Sequence, residues 1–170
     1  HFKLPPDAAG KKVFLEFEGV RQGGEFFVNG KHIGRHENGA MAVGFDVTEF
    51  VKPAPAENVV AVRTDNDWNY REKATNQRYQ GSDRNFNANY GGIPNNVKLH
   101  VTDKLHQTLP LWSHLKTTGV YIYALDFDLP GKAATIHAES EVRKEHPTPR
   151  TFTYDVTLVD MERRVVKEFS

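Results

Sequence analysis

Cysteine is absent from all 170 residues. That single absence removes disulfides, thiolate metal sites and cysteine nucleophiles together. Charge of one sign is not in excess either, since 22 Lys and Arg stand against 22 Asp and Glu. A nucleic-acid binder usually concentrates a basic surplus on one face, so no nucleic-acid partner is expected. No apolar run approaches the roughly 18 residues that a membrane-spanning helix needs, and no membrane partner is expected. There is no Gly-x-Ser-x-Gly elbow, and Ser82, Ser113, Ser140 and Ser170 stand in no suggestive context. Gly23-Gly24 and Gly91-Gly92 open no phosphate-cradling loop ahead of a helix, so neither a nucleotide nor any other cofactor is expected. No signal peptide is visible: His1–Pro5 reads as mature sequence, and Arg164–Ser170 as strand without a closing turn. Both ends therefore read as cuts from a longer chain.

What is present is the periodicity of strands. In 13–18, Val13, Leu15 and Phe17 fall on one face, with Glu16 and Glu18 on the other. Glu25-Phe26-Phe27-Val28 and Lys31-His32-Ile33-Gly34 flank Asn29-Gly30, a pair suited to the positive φ angles of a two-residue hairpin turn. Short strands are also expected at 44–47, 59–63 and 97–101. No amphipathic helix is expected in the first hundred residues, although 46–52 suits one short turn with Thr48 as its cap. The pattern predicts an all-β sandwich or jelly roll. Around 102–115 the alternation lapses into a polar link carrying Pro110 and Trp112. A second strand series follows at 119–127 and 135–142. After a turn at 147–149, Phe152, Tyr154, Val156 and Leu158 alternate with polar neighbours. That spacing fits an immunoglobulin-like sandwich without its Cys-Trp-Cys signature. Two domains are expected, 1–104 and 105–170.

His32 and His36 would align on a helix, but on a strand the same spacing spans roughly 13 Å. Both are expected as exposed polar surface. Asp65-Asn66-Asp67-Trp68-Asn69 opens like a calcium loop, yet Tyr70 replaces its glycine and Asn76 its closing glutamate. No metal site is expected. Glu16/Glu18, Glu139/Glu141 and Asp126/Asp128 are carboxylate pairs of the kind glycosidases use, but most alternate with apolar residues as a solvated sheet face does. The stretch richest in chemistry is 64–92. It runs from Asp65 to Tyr70, then Tyr79, then Asp83-Arg84-Asn85-Phe86-Asn87-Ala88-Asn89-Tyr90. Amides and carboxylates bond sugar hydroxyls, and flat rings stack on sugar faces. A long loop in a small β domain is commonly functional. The same composition also suits turns and rings that plug the end of a sandwich, so composition weighs the two roles equally.

Taken in order, the motifs become recognisable. They are Phe17-Glu18-Gly19-Val20, Phe27-Val28-Asn29-Gly30-Lys31, Ile33-Gly34-Arg35-His36, Gly39 and Phe45-Asp46-Val47-Thr48. Asn58-Val59-Val60-Ala61-Val62-Arg63 with Asp65-Asn66 follows, then Asn89-Tyr90-Gly91-Gly92-Ile93 with Val97 and Leu99. The series resembles the sugar-binding domain of glycoside hydrolase family 2 over about residues 1–103. Residues 104–170 match the family by position and strand pattern. The resemblance implies a galactose-binding-like jelly roll and then an immunoglobulin-like sandwich, both incomplete, with some tens of residues upstream. In that family a TIM barrel follows and bears two glutamates, an acid/base and a nucleophile, that act with retention.

Nothing in 1–170 resembles the barrel, so no catalytic residue is expected here. The resemblance implies the non-catalytic front of a β-galactosidase-like enzyme, partnered by its own TIM-barrel domain and by a β-linked sugar or oligosaccharide. Oligomerisation of the parent is left open. In relatives the loop before the Asn-Tyr-Gly-Gly-like segment helps bind the terminal sugar, usually through an acid. Phe86 falls at that position here, which passes the contact to Asp83, Asn85 or Asn87 without a choice among them. The candidate substrate-binding residues are thus Asp83, Asn85, Asn87 and Trp68. Asn95 stands where many relatives have arginine, a difference expected to affect packing more than chemistry. The rival readings are a stand-alone carbohydrate-binding module on an immunoglobulin-like stalk and a purely structural or adhesive sandwich pair. Polysaccharide-degrading relatives are often periplasmic, others cytoplasmic, which places a periplasmic or secreted location slightly ahead.

Overall fold

The structure, a computed structural model, describes residues 1–78 and 90–170. The first eight strands are β1 Phe2–Lys3, β2 Lys12–Phe17, β3 Gly23–Val28, β4 Lys31–His36, β5 Val43–Asp46, β6 Glu57–Asn58, β7 Val60–Asp65 and β8 Val97–Thr102. They build two antiparallel sheets, β5-β2-β8 and β4-β3-β7, with β1 paired to β6. The alternation of β2 turns Val13, Leu15 and Phe17 inward, where they join Phe26 and Val28 of β3 and Val43 of β5 in the core. The Phe26 ring lies 4.8 Å from Phe17 and 4.7 Å from Phe45, so one side chain ties the two sheets together. Truncating such a ring costs about 3–5 kcal/mol through lost transfer energy and the cavity left behind.

The β3–β4 hairpin turns at Asn29-Gly30, with φ of 49° and 80°, and pairs Val28 with Lys31. Asn29 also fastens the hairpin to the rest of the sandwich. Its Nδ2 donates to Phe50 O and Asn58 Oδ1 at 2.8 Å each, and its Oδ1 accepts from Val59 N at 3.0 Å. At 48–50 the chain makes the expected turn, but Asp46 is the residue that caps it, its Oδ1 accepting from Thr48 N at 3.0 Å. The Thr48 hydroxyl instead accepts from Val13 N at 3.0 Å.

The link at 102–115 departs from expectation. It contains β9, Leu105–Gln107, and a one-turn helix α1, Trp112–Leu115. Strand β9 pairs with β12, Val142–Lys144. This region covers the outer face of the first sheet. Phe14 is buried on that face, with the His106 ring 5.6 Å away. Lys12 bridges Asp46 at 2.5 Å and Glu145 at 2.9 Å. Leu111 packs directly on Gly44, where a Cβ would collide with its Cδ1. His36 is 6 % exposed, its ring 4.8 Å from His114 of α1, and so is not the exposed residue expected. The cause is a register shift after Phe26 together with the docked helix. His32 is exposed as expected and packs on Phe27 at 5.1 Å.

Farther along, β10 Val120–Asp128 pairs with β11 Ala133–Ser140, and β13 Val156–Val159 with β14 Val165–Phe169. The apolar rows of these hairpins lie open, Phe127 at 67 % exposure, with Ile136 and Val166 also exposed. The regular elements among the described residues are thus strands except for short turns of helix. No helix among them is long and apolar enough to cross a membrane.

Candidate functional site

One end of the first sandwich gathers Arg21, Glu37, the segment 65–78 and the returning chain at 90–92. Arg21 and Gly92 exchange backbone hydrogen bonds of 2.9 and 3.2 Å. The Arg21 guanidinium lies 4.3 Å from the centre of the Tyr90 ring, and its Nη1 donates to the Tyr90 hydroxyl at 3.1 Å. Gly91 lies against Asn66 so closely that a Cβ would sit 2.5 Å from its Cγ.

From β7 the chain leaves through two successive Asx turns. Asp65 Oδ1 accepts from Asp67 N at 3.1 Å, and Asp67 Oδ1 from Asn69 N at 2.6 Å. The acids that suggested a calcium loop therefore serve the backbone. Among the described residues no group of three or more metal-ligating side chains assembles. Residues 67–78 then form a strap across the sandwich end. Tyr70 lies over Gly23, where any Cβ would meet its phenol, and its hydroxyl donates to Glu37. Glu37 Oε1 also accepts from Lys73 N at 3.0 Å. Burial and the Glu37 carboxylate both push the Tyr70 pKa far above that of a free phenol. The strap is closed internally by Arg71 Nη1 to Asn76 O at 2.8 Å and by Arg78 Nη2 to Asn69 Oδ1 at 2.6 Å.

Between strap and sheet lies an open cleft of about 510 Å³, lined by Gly23, Gly24, Glu25, Arg35, Arg63, Asp65, Asp67, Asn69, Tyr70, Arg71 and Lys73. Its floor carries a cross-strand charge row. The β-sheet register sets Glu25 opposite both Arg35 and Arg63. Glu25 pairs with Arg35 and lies 3.8 Å from Arg63. The bond from Arg35 is the main reason the Glu25 carboxyl titrates below its ordinary range.

Of the residues singled out from sequence, Trp68 is half-buried between two cleft-lining neighbours and does not itself line the cleft. Asp83, Asn85 and Asn87 lie outside the described residues. The structure adds Arg35, Arg63, Arg71 and Lys73, which sequence reasoning missed. The Arg35–Glu25–Arg63 row is visible only with the correct register. An ideal two-residue hairpin turn would set Glu25 against Gly34, and the irregularity after Phe26 moves it to Arg35. Four members of the candidate carboxylate pairs are occupied elsewhere. Glu16 bonds His100 at 2.7 Å, Glu18 bonds Asn96 at 2.9 Å and Lys98, Asp128 caps Gly131 at 2.9 Å, and Glu141 bonds Thr118 N at 2.6 Å.

Known proteins resemble both the sequence and the shape. The family profile described as "Glycosyl hydrolase 2 galactose-binding domain-like" matches residues 1–103. A β-glucuronidase of Formosa agariphila is 40% identical over 168 residues, 98% of this chain and 16% of its own length. A β-galactosidase of Bacteroides ovatus is 29% identical over 167 residues, 98% of this chain and 17% of its own length. The solved structure of a family 2 β-glucuronidase superposes with a TM-score of 0.76 at 36% identity, over 99% of this chain and 17% of that one. The chain thus spans about one sixth of the length of these relatives. Matching profile, similarity along nearly all of this chain and superposition agree that the chain belongs to glycoside hydrolase family 2, with the family's galactose-binding-like domain at residues 1–103.

Proposed function

We propose that this chain is the non-catalytic front portion of a retaining β-glycosidase. It scaffolds a TIM-barrel domain and presents the polar end of its first sandwich to the sugar. The observation that carries this reading is the similarity to an enzyme along 98% of the chain. That the named relatives are enzymes favours it over a stand-alone carbohydrate-binding module. The proposed division is 1–104 for the jelly roll and 105–170 for an immunoglobulin-like unit. It is supported by β8 ending at Thr102 in the first sandwich while β9, from Leu105, pairs with β12. Within this reading a β-glucuronide is the first substrate to try, because the 40% identical relative bears that name. A β-galactoside, expected from the family resemblance, is the second.

The test is hydrolysis of nitrophenyl β-glucuronide and nitrophenyl β-galactoside by the full-length parent and by this chain alone. The parent is expected to turn over one of them with retention of anomeric configuration, and the chain neither. Turnover by the chain alone, or a parent inactive on every β-glycoside, would overturn the proposal.

A further inference from the structure

Among the described residues, the side chains lining the cleft beneath the strap include one more cation than acids, and the nearby Glu37 carboxylate accepts from the Tyr70 hydroxyl and Lys73 N. The four cations, Arg35, Arg63, Arg71 and Lys73, face three acids, Glu25, Asp65 and Asp67. Glu25 is shared by Arg35 and Arg63, and the two aspartates each commit Oδ1 to a backbone turn. Arg71 donates to a neutral carbonyl, and among the described residues neither Arg71 nor Lys73 makes an ion pair. Arg71 and Lys73 are both exposed on the strap. Polar groups complementary to sugar hydroxyls stand beside them. These are the outer carboxylate oxygens of Asp65 and Asp67, and the Asn69 Nδ2, whose amide oxygen is taken by Arg78. At about 510 Å³ the cleft falls within the span of roughly 300–1,000 Å³ usual for small-molecule sites.

We infer that this cleft binds a uronic-acid unit of a saccharide, its carboxylate held by Arg71 and Lys73 and its hydroxyls by Asp65, Asp67 and Asn69. A guanidinium fork matches a carboxylate in two parallel hydrogen bonds, and an ammonium adds a point charge beside it. The row Arg35–Glu25–Arg63 forms the floor and raises the local positive potential from the Arg63 side. The inference rests on the sugar-facing reading above, and it names the class of sugar that this end of the sandwich takes.

The test is calorimetric titration of the full-length parent with a thio-linked tetraglucuronate, which cannot be hydrolysed, and with the same compound after reduction of its carboxyl groups. The double variant Arg71→Gln, Lys73→Gln is expected to bind the acidic ligand at least tenfold more weakly. The reduced ligand should bind the unaltered protein as weakly as that. Lys31→Gln, which removes a cation at the distant hairpin turn, should match the unaltered protein. The inference is overturned if the double variant keeps full affinity, or if acidic and reduced ligands bind alike. Hydrolysis of nitrophenyl β-glycosides by the same preparations reports on the parent's activity separately, so failure of that reading is not confused with failure of the cleft.

Discussion

Asn58 offers a quantitative check on how the first sandwich is held together. Its side chain is fully buried, at 0 % exposure. It accepts from Asn29 Nδ2 at 2.8 Å and from Lys52 N at 2.7 Å, and donates to Lys52 O at 3.0 Å. Asn58→Ala removes three hydrogen bonds, each with a net contribution of about 1 kcal/mol. Asn29 Nδ2 keeps its second acceptor, Phe50 O, and the Lys52 backbone lies near enough to solvent to rehydrate in part. These two effects bring the expected loss to about 2–3 kcal/mol. With a urea m-value of about 1–3 kcal/mol/M, the unfolding midpoint should fall by about 0.7–3 M at unchanged m. Asn29→Gly keeps the positive φ of the turn while removing the partner. In a double-mutant cycle the two changes should therefore couple by about 1 kcal/mol. A midpoint shift for Asn58→Ala below about 0.3 M at unchanged m would refute the view that this network fastens the hairpin.

Three other outcomes follow from contacts outside the cleft. Burial pushes the Asp46 carboxyl up, but the bonds from Lys12 and Thr48 more than offset it and hold its pKa below 3.8. That contribution is whole above the unfolded value and is lost as pH falls through the lower folded one, so Lys12→Met should flatten the acid limb of a stability-versus-pH curve. Burial lowers both His36 and His114, and the two rings face each other at 4.8 Å, so their packing is whole above pH 6.5 and weakens as pH falls below it. His114→Phe should remove the His114 share of that dependence and leave the His36 share, read from Trp112 fluorescence between about pH 7 and 5. Gly44→Ala forces Leu111 off the sheet and should cost about 1–3 kcal/mol in urea unfolding.

Strand alternation made much of the architecture legible. Val13, Leu15 and Phe17 announced β2, and Asn29-Gly30 announced the hairpin, because both signals are local. Strand β9 was hidden because three residues are too few to show a period, and Leu105-His106-Gln107 is not apolar enough to stand out. The burial of Phe14 and His36 was hidden for a related reason, since each depends on a segment 70 or more residues away. At the candidate site, the loop's polar composition pointed to the same end of the molecule as the cleft. The cleft's charges could not be read, since Arg35, Glu25 and Arg63 align only through a register irregularity. Tyr70 and Glu37 likewise meet only through tertiary folding, 33 residues apart in sequence.

The central claim is that the 64–92 end of this chain serves the sugar site of its parent. The most direct measurement is kcat/KM of the full-length parent on its nitrophenyl β-glycoside, with Asp83, Asn85 and Asn87 each changed to alanine. The account predicts that at least one change lowers kcat/KM tenfold or more, about 1.4 kcal/mol of lost transition-state stabilisation. Three variants indistinguishable from an active parent would contradict it and leave this end of the sandwich as scaffold alone.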